Sequence, residues 1–397
     1  MTETGSLLRG LECRACCTSL DAAHLASTCP TCGQALFATY ALEKLEARAW
    51  LRSLAGRPST LWRYRELLPV RSAERVVSLG EGLTPVVPLG EVDGADGITV
   101  SAKDDGAMPT GSFKARGMSV AVSRAVELGA RELFVPSAGN AGVALAAYAA
   151  RASVPARVYL PERTPEGMKR AVRLYGAEVI ECPGTIRDAG EQGRARERGR
   201  GSFDMSTLRE PYRVEGKKTM GLEIFEQCAA GGLPDAIVYP TGGGTGLVGM
   251  ARAFSELTTL GLLERPPRLY AVQPDGCAPV VRALDEGTAR VEPWADPRTI
   301  APGLLVPAPF SSERVLEAVR TTRGGGVTVS DREILTAMRN LARRHGISAS
   351  PEGAATYAAL PKLLDRKLLA PGERVMLYIT GTGLPFSWEE LSRSLGE

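Results

Sequence analysis

The sequence predicts an α/β protein with mainly parallel sheets, and three stretches of the chain carry that prediction. They are ELFVPSAGNAGVALAAYAARA (132–152), ARVYLPERTPEGMKRAVRLYGAEVIEC (156–182) and DAIVYPTGGGTGLVGMARAFSEL (235–257). Each begins with a short aliphatic run, passes through a loop rich in glycine or proline, and continues into an amphipathic helical pattern. Strands that alternate with helices of this length form parallel pairs, because the helix returns the chain to the start of the sheet.

Further elements follow the same pattern towards the carboxyl terminus. RLYAVQPDG (268–276) and RVMLYITGTG (374–383) supply two more buried strands that end in loops. Between them, SDREILTAMRNLARRHG (330–346) predicts a helix, because Ser330 and Glu333 have the spacing of a capping box and a glycine closes the last turn. Ligands of parallel sheets bind beyond the carboxyl ends of the strands, so these loops are candidates for a site.

Composition and charge exclude several classes of protein. The 397 residues, 44% of them hydrophobic, are enough for two or three domains with filled cores. A net charge of +3 gives no overall field that would attract nucleic acid or a membrane surface. No apolar run approaches the ~20 residues that span a bilayer, and the opening MTETGSLLRG lacks the features of a signal peptide. We therefore expect a cytoplasmic protein without a nucleic-acid or membrane partner.

Five of the eight cysteines fall in two short runs, CRACC (13–17) and CPTC (29–32). Each C-x2-C pair can present two thiolates from a tight turn, and two pairs complete the tetrahedral ligand set of a structural zinc ion. Four thiolates leave no open position, so we expect no catalytic part for this metal. The predicted ligands are Cys13, Cys16, Cys29 and Cys32. Cys17 could replace Cys16, His24 is a weaker candidate, and a ribbon of reduced free thiols is the alternative.

The loop YPTGGGTGLVGM (239–250) predicts a phosphate site. Three successive glycines let the backbone turn its amides inward, and the amino terminus of the following helix adds positive potential. Residues 244–249 also fit the dinucleotide pattern G-x-G-x-x-G, but the next strand ends at Gln273 rather than at an acidic residue. No G-K-[ST] closes the loop, so it is not a P-loop. The pattern favours a cofactor with a single phosphate over a dinucleotide or a bare structural turn.

The stretch GSFKARG (111–117) places a lysine at the start of a helix. Gly111 and Ser112 have the character of a turn and an N-cap, so Lys114 would lie in the first helical turn, where the helix dipole repels a cation. Desolvation and the dipole both favour the uncharged, nucleophilic amine. A carbonyl cofactor uses such an amine as a Schiff base. Together with the phosphate loop, Lys114 therefore predicts pyridoxal phosphate.

Two more loops suit the same cofactor. PSAGNAG (136–142) offers backbone amides and the side chain of Asn140 to a substrate carboxylate and to the phenolic oxygen of the cofactor. TGTG (380–383) offers the hydroxyl of Thr380 to the pyridine nitrogen. A hydroxyl does not force that nitrogen to remain protonated, which favours elimination or replacement chemistry over transamination.

Four motifs, PTGSFKARGM (109–118), PSAGNAG (136–142), PTGGGTGLVGM (240–250) and ITGTGL (379–384), have an order and spacing that resemble the fold-type II family of pyridoxal phosphate enzymes, and within it the threonine synthases. The segments LGEGLTPVVPL, EPYRVEGKKTMGLEI and SPEGAATYAAL and the amino-terminal cysteines are also similar, so the resemblance extends over nearly the whole chain. It implies two open, mainly parallel sheets flanked by helices.

The resemblance also implies an organisation into domains. We expect a zinc-ribbon-like segment at residues 1–40, a large cofactor-binding α/β domain formed by residues 41–109 and 216–397, and a small α/β domain at residues 110–215. It further implies a homodimer.

The implied activity is that of a lyase of threonine biosynthesis, which converts O-phospho-L-homoserine and water to L-threonine and phosphate. Lys114 would form the Schiff base and move protons. The implied cofactor contacts are Lys114, Phe113, Asn140, Gly242, Gly243, Gly244, Thr245 and Thr380. The implied substrate contacts are Thr84, Ser137, Ala138, Gly139 and Asn140.

Three departures from the family pattern keep other substrates open. Ala115 after the lysine is common in threonine and serine dehydratases, whereas Ala141 stands where a dehydratase usually has histidine. Pro385 stands near the place where the family's last motif often reaches a lysine. A dehydratase, a replacement synthase acting on O-phosphoserine as cysteate synthase does, and a non-catalytic ligand sensor are the alternatives.

Overall fold

Strands and helices alternate along most of the computed structural model, which describes residues 5–395. The strands are β1 (Leu8–Cys13), β2 (Ser19–Leu20), β3 (Leu36–Tyr40), β4 (Val86–Pro88), β5 (Thr99–Asp104), β6 (Leu133–Pro136), β7 (Ala156–Pro161), β8 (Glu178–Cys182), β9 (Phe203–Asp204), β10 (Ala236–Pro240), β11 (Arg268–Pro274), β12 (Gly325–Val329) and β13 (Arg374–Ile379). The helices are α1 (Ala47–Leu54), α2 (Lys114–Glu127), α3 (Asn140–Ala152), α4 (Glu166–Leu174), α5 (Ile186–Glu197), α6 (Arg213–Cys228), α7 (Thr245–Thr259), α8 (Pro279–Asp285), α9 (Ser312–Thr321), α10 (Asp331–His345), α11 (Pro351–Ala358), α12 (Leu360–Asp365) and α13 (Trp388–Ser394).

The residues fall into two compact units, each made of separate segments of the chain. Unit 1 comprises the residues up to Leu83, Lys114–Met220 and Ala253–Glu264. Unit 2 comprises Thr84–Phe113, Gly221–Arg252 and the residues from Arg265 onwards. The domain ranges expected from the sequence group residues 41–109 differently, and they stay a prediction.

Unit 2 is built on a six-stranded sheet with the order β12-β11-β10-β13-β5-β4. Neighbouring strands are parallel except for β4 and β5, which are antiparallel. Strand β10 is buried along its whole length, as the uninterrupted apolar run AIVY predicts for a strand covered on both faces. Because β5, β10 and β13 are parallel, the loops that begin at Asp105, Thr241 and Thr380 leave the same edge of this sheet.

Unit 1 contains a four-stranded parallel sheet with the order β8-β7-β6-β9. The loop that leaves the carboxyl end of β6 runs from Ser137 into α3. A separate three-stranded antiparallel sheet, β2-β1-β3, is formed by the cysteine-rich segment. The predicted α/β class, with two mainly parallel sheets flanked by helices, is therefore confirmed.

The starts of α10 and α2 were both predicted from the sequence, and only the first prediction is confirmed. The capping box at the start of α10 is present, and Gly346 ends that helix with a φ of 68°. The predicted N-cap before Lys114 is wrong, because α2 begins at Lys114 and Ser112 instead forms a β-bridge with Gly381.

No helix among the described residues is long and apolar enough to cross a membrane.

Candidate active site

The loop after β10, residues 241–245, is named the glycine loop, and its shape depends on missing side chains. A Cβ on Gly242 would overlap the carbonyl oxygen of Gly303, and a Cβ on Gly244 would overlap the side chain of Val315. Gly244 also has a φ of +70°, in the left-handed region that favours glycine. The loop runs directly into α7, whose first N–H groups have no acceptor within the helix. The glycine loop and the start of α7 therefore suit an anion.

Two side chains of unit 2 support the glycine loop, Gln273 directly and Glu352 through Gly303. Gln273 is fully buried, and its Nε2 donates to the carbonyl oxygen of Thr241 at 2.9 Å. Its Oε1 accepts from the N–H groups that start α8, so this side chain connects β11, the glycine loop and a helix. The Oε1 of Glu352 accepts from the N–H of Gly303 at 2.8 Å, and Gly303 is the residue that packs against Gly242. Sequence reasoning gave neither side chain this role.

Replacing Gly244 by alanine should destabilise the protein by about 2–4 kcal/mol, because an unfavourable left-handed φ adds to an overlap with a buried valine. Denaturant unfolding measures this change. Gly167, in α4, has no atom near the position of an added Cβ, so Gly167→Ala is the matched control and should be neutral or stabilising. Equal effects of the two substitutions would contradict the role given to Gly244.

The loop after β13 pairs with the segment just before α2. Phe113 donates its N–H to the carbonyl oxygen of Thr380 at 2.9 Å, and Thr382 donates its N–H to the carbonyl oxygen of Gly111 at 2.8 Å. Thr380 is buried, with 4% of its surface exposed. Two of the predicted cofactor contacts, Phe113 and Thr380, are thus neighbours in unit 2.

Three aromatic rings of unit 2, those of Phe113, Tyr239 and Tyr378, form a row next to the starts of these loops. The rings of Phe113 and Tyr239 meet edge to face with centroids 6.1 Å apart, and those of Tyr239 and Tyr378 meet with centroids 5.6 Å apart. Tyr239 is the penultimate residue of β10, so this row fixes the end of the strand from which the glycine loop starts.

The predicted substrate contact Thr84 lies at the other end of the same sheet edge. The register of β4 and β5 pairs Val86 with Lys103, and continuing it places Thr84 opposite Asp105. The hydroxyl of Thr84 donates to Oδ1 of Asp105 at 2.7 Å, and the hydroxyl of Tyr378 donates to Oδ2 at 3.1 Å. Burial raises the pKa of the neighbouring Asp104, and the negative charge of Asp105 adds to that shift.

The backbone of Thr84 is held by a second set of contacts. Its carbonyl oxygen accepts from Nζ of Lys103 at 2.7 Å and from Nε2 of Gln227 at 3.0 Å. Lys103 also donates to Oε2 of Glu223 at 3.0 Å, and the side chains of this ion pair have no exposed surface. Lys103, Asp105 and Tyr378 were missed by sequence reasoning, and the only signal was the polar run KDDG between a strand and the PTGSFK motif.

In unit 1, Lys114 is the first residue of α2 and is half-buried. The start of α2 approaches α6 closely, because a Cβ on Gly216 would overlap the carbonyl oxygen of Arg116, and a Cβ on Gly117 would lie 3.0 Å from the carbonyl oxygen of Arg213. These two glycines let the helices pack backbone to backbone and so fix the position from which the Lys114 side chain extends.

The loop of residues 137–140 has a defined internal geometry. Ser137 is buried, and its Oγ accepts from the N–H groups of Gly139 at 3.0 Å and Gly142 at 2.9 Å. With both lone pairs of the hydroxyl oxygen used, its proton remains to donate to a ligand. Gly139 has a φ of 135°, and Asn140, half-buried, begins α3.

The cysteine cluster, Cys13, Cys16, Cys29 and Cys32, gathers four sulfur atoms within 4.8 Å of one another. Cys13 and Cys32 have sulfurs 3.5 Å apart, and Cys16 and Cys29 have sulfurs 3.6 Å apart. Tetrahedral zinc with Zn–S bonds of about 2.3 Å needs sulfurs about 3.8 Å apart, so the cluster has the right size. Burial opposes ionisation of the Cys29 thiol, but backbone hydrogen bonds from Cys32 and Thr31 lower its pKa to about 6.

The structure also separates Cys17 from the cluster. Cys17 has a φ of 59° at the end of the first C-x2-C turn, and Gly33 has a φ of 71° at the same place in the second turn. This left-handed backbone places Cys17 after the turn, as an exposed residue outside the cluster. His24 is exposed on the loop that follows and is likewise outside it.

Comparison with known proteins gives one family and several named relatives. Residues 77–381 match the family described as pyridoxal-phosphate dependent enzyme. The chain is 33% identical to a threonine synthase of Methanocaldococcus jannaschii over 94% of this chain and 92% of that protein, and 35% identical to one of Synechocystis over 81% of each.

Solved structures share the fold. The threonine deaminase from T.th. superposes with a TM-score of 0.64 at 28% identity, covering 86% of this chain and 98% of that one. Maize serine racemase superposes with a TM-score of 0.66 at 22% identity, covering 79% and 92%, which speaks for the fold alone.

Proposed function

Because the chain belongs to the pyridoxal-phosphate dependent enzyme family, we propose that it converts O-phospho-L-homoserine and water to L-threonine and phosphate. The observation that carries this proposal is the similarity to threonine synthases along almost the entire chain, including the segment before residue 77 that the family match does not cover. The family itself was predicted from the sequence and is confirmed.

The glycine loop fits the phosphate of the cofactor. Gly242 and Gly244 have no room for side chains, so the loop can bring backbone N–H groups close to phosphate oxygens at the start of α7. Phe113, Asn140, Gly243, Thr245 and Thr380 are the further cofactor contacts that we propose. Bound pyridoxal phosphate supplies an electron sink that stabilises negative charge on the substrate carbons.

Lys114 is the proposed catalytic residue. Its amine at the foot of α2 would hold the cofactor covalently in the resting enzyme, and would take and return protons at the substrate carbons during turnover. The close packing of α2 on α6 fixes the backbone that carries this side chain.

The loop of residues 137–140 is the proposed site of the substrate carboxylate. The proton of the Ser137 hydroxyl suits a carboxylate oxygen, because the hydroxyl oxygen is already occupied by two backbone N–H groups. The backbone amide of Ala138 offers a further donor, and the start of α3 at Asn140 adds positive potential. Gly139, whose N–H is held by Ser137, gives the loop its shape. Thr84 is the remaining substrate contact that we propose.

An assay with separate substrates tests the activity. The purified enzyme is incubated with O-phospho-L-homoserine, L-threonine, L-serine or O-phospho-L-serine, and phosphate and 2-oxo acid are measured. Phosphate and threonine from O-phospho-L-homoserine alone would support the proposal. Phosphate released from O-phospho-L-serine instead would move the assignment to a replacement synthase.

A dehydratase is the second candidate, and a specific observation favours it. The solved threonine deaminase shares more than a quarter of its residues with this chain, and Ala115 follows the lysine as in the dehydratase pattern. Release of 2-oxobutanoate from L-threonine in the same assay would establish this activity in place of the first.

We also propose that the cysteine cluster binds one structural zinc ion. The supporting observations are the convergence of the four sulfur atoms and their spacings, which suit a tetrahedral zinc ion. Cys13→Ser should lower the zinc content, measured by atomic emission, from one ion per chain towards none. Cys17→Gly is the matched control and should retain the zinc, because its left-handed backbone suits glycine. Loss of zinc in both variants would contradict this ligand set.

A homodimer in the cytoplasm completes the proposal. The resemblance to threonine synthases supports the dimer, and the eight free cysteines suit a reducing compartment. Light scattering coupled to size-exclusion chromatography measures the molar mass of the protein in solution, and the mass of a single chain would contradict the dimer.

A further inference from the structure

Thr84 holds a buried hydroxyl whose hydrogen-bonding direction is set by its neighbours. Its one proton is donated to Oδ1 of Asp105 at 2.7 Å, and Oδ2 of the same carboxylate accepts from Tyr378 at 3.1 Å. A threonine hydroxyl has a single proton to donate. The proton of Thr84 is therefore committed to Asp105, and the Thr84 oxygen can offer only its lone pairs to anything else.

The backbone around this hydroxyl is equally constrained. Thr84 lies opposite Asp105 in the continued register of β4 and β5, so the two residues are held by a strand pair. Lys103 and Gln227 both donate to the Thr84 carbonyl oxygen, and the Lys103–Glu223 ion pair is completely buried. A rotation that turned the Thr84 proton towards a ligand would break the hydrogen bond to a buried carboxylate, which is costly.

We propose that Asp105 is a positioning residue that makes Thr84 an obligate hydrogen-bond acceptor, so that the ligand group meeting Thr84 is an N–H or O–H donor. The inference rests on the proposed function, in which Thr84 contacts the substrate. Two donors are available in that reaction, the substrate amino group and the water that adds to the substrate. The carboxylate and the phosphate are acceptors at neutral pH, and Thr84 does not bind them.

The test uses the holoenzyme and three ligands. L-2-Aminobutyrate has the amino and carboxyl groups of the substrate without a leaving group, so its binding is measured from the change in cofactor absorbance without turnover. O-Phospho-L-homoserine reports turnover, and inorganic phosphate reports binding of an acceptor through its inhibition. The variants are Thr84→Val, Thr84→Ser and Asp105→Asn. Asp104→Asn is the matched control, because the Asp104 side chain accepts a hydrogen bond from the N–H of Gly106.

Thr84→Val should weaken L-2-aminobutyrate about ten-fold if the donor is the amino group, or lower kcat about ten-fold at unchanged binding if the donor is water. Either result supports the proposal. Thr84→Ser should restore the lost function to within about two-fold, since it keeps the hydroxyl. Asp105→Asn should also weaken L-2-aminobutyrate binding or lower kcat, whichever of the two Thr84→Val changes, because the carboxamide nitrogen cannot accept a hydroxyl proton. Asp104→Asn should leave both quantities unchanged.

Three outcomes would overturn the inference. They are weaker inhibition by inorganic phosphate in Thr84→Val, no change in either binding or kcat in that variant, and equal behaviour of the Asp105→Asn and Asp104→Asn enzymes. Cofactor absorbance and circular dichroism establish that each variant is folded and loaded. If the wild-type enzyme converts O-phospho-L-homoserine to threonine and phosphate but the variants show none of these effects, the proposed function stands and only the role of Asp105 is refuted.

Discussion

Lys114→Ala is expected to lower kcat by about a thousand-fold or more, because the substitution removes both the covalent anchor of the cofactor and the proposed acid–base group. The absorbance band near the edge of the visible range, which the imine between lysine and cofactor produces, should disappear from the purified protein. Steady-state kinetics with O-phospho-L-homoserine and an absorbance spectrum measure the two effects.

An exposed lysine provides the control for this experiment. Lys44 lies on the surface of unit 1, and Lys44→Ala should retain the band and the activity of the wild type. A Lys114→Ala enzyme that kept its absorbance band, or that turned over within ten-fold of the wild type, would contradict the assignment of the catalytic lysine. The assignment of the fold would be unaffected.

Glu223→Ala is expected to reduce the free energy of unfolding by about 3–5 kcal/mol, because it leaves the Lys103 ammonium buried without its negative partner. Both side chains of this ion pair are completely buried, and Nζ and Oε2 lie 3.0 Å apart. Denaturant unfolding followed by circular dichroism measures the loss.

Two further substitutions distinguish the loss of the buried negative charge of Glu223 from the loss of any glutamate side chain. Glu223→Gln keeps an oxygen for Lys103 to bind and should cost less than Glu223→Ala. Glu286→Ala removes an exposed glutamate of unit 2 and should change the free energy of unfolding by no more than about 0.5 kcal/mol. The interpretation would fail if Glu223→Ala were as mild as Glu286→Ala.

The parts of the fold that the sequence predicts are those encoded by local patterns. The strand, loop and helix alternation, the capping box at Ser330 and the C-x2-C pairs each depend on residues a few positions apart, and the structure has all of them. The sequence left Cys16 and Cys17 as alternative ligands. Only the backbone distinguishes them, because the left-handed φ of Cys17 repeats that of Gly33.

The predictions that failed or were never made depend on distant residues. Ser112 has the composition of an N-cap, but it pairs with Gly381, which lies far along the chain, so the helix begins later. Asp105 and Tyr378 meet because β5 and β13 are neighbours in the sheet, and no pattern within either segment indicates that pairing. Specific long-range contacts of this kind define the surroundings of Thr84.

The strand order of the six-stranded sheet has a consequence for biosynthesis. β13 lies between β10 and β5, and it is the last of the six strands to leave the ribosome. Until then β5 and β10 each have an unpaired edge facing the place of the missing strand, and such edges promote association between nascent chains. A polypeptide truncated before Arg374 would contain Lys114 and the glycine loop but would aggregate, because its sheet lacks β13 between β10 and β5.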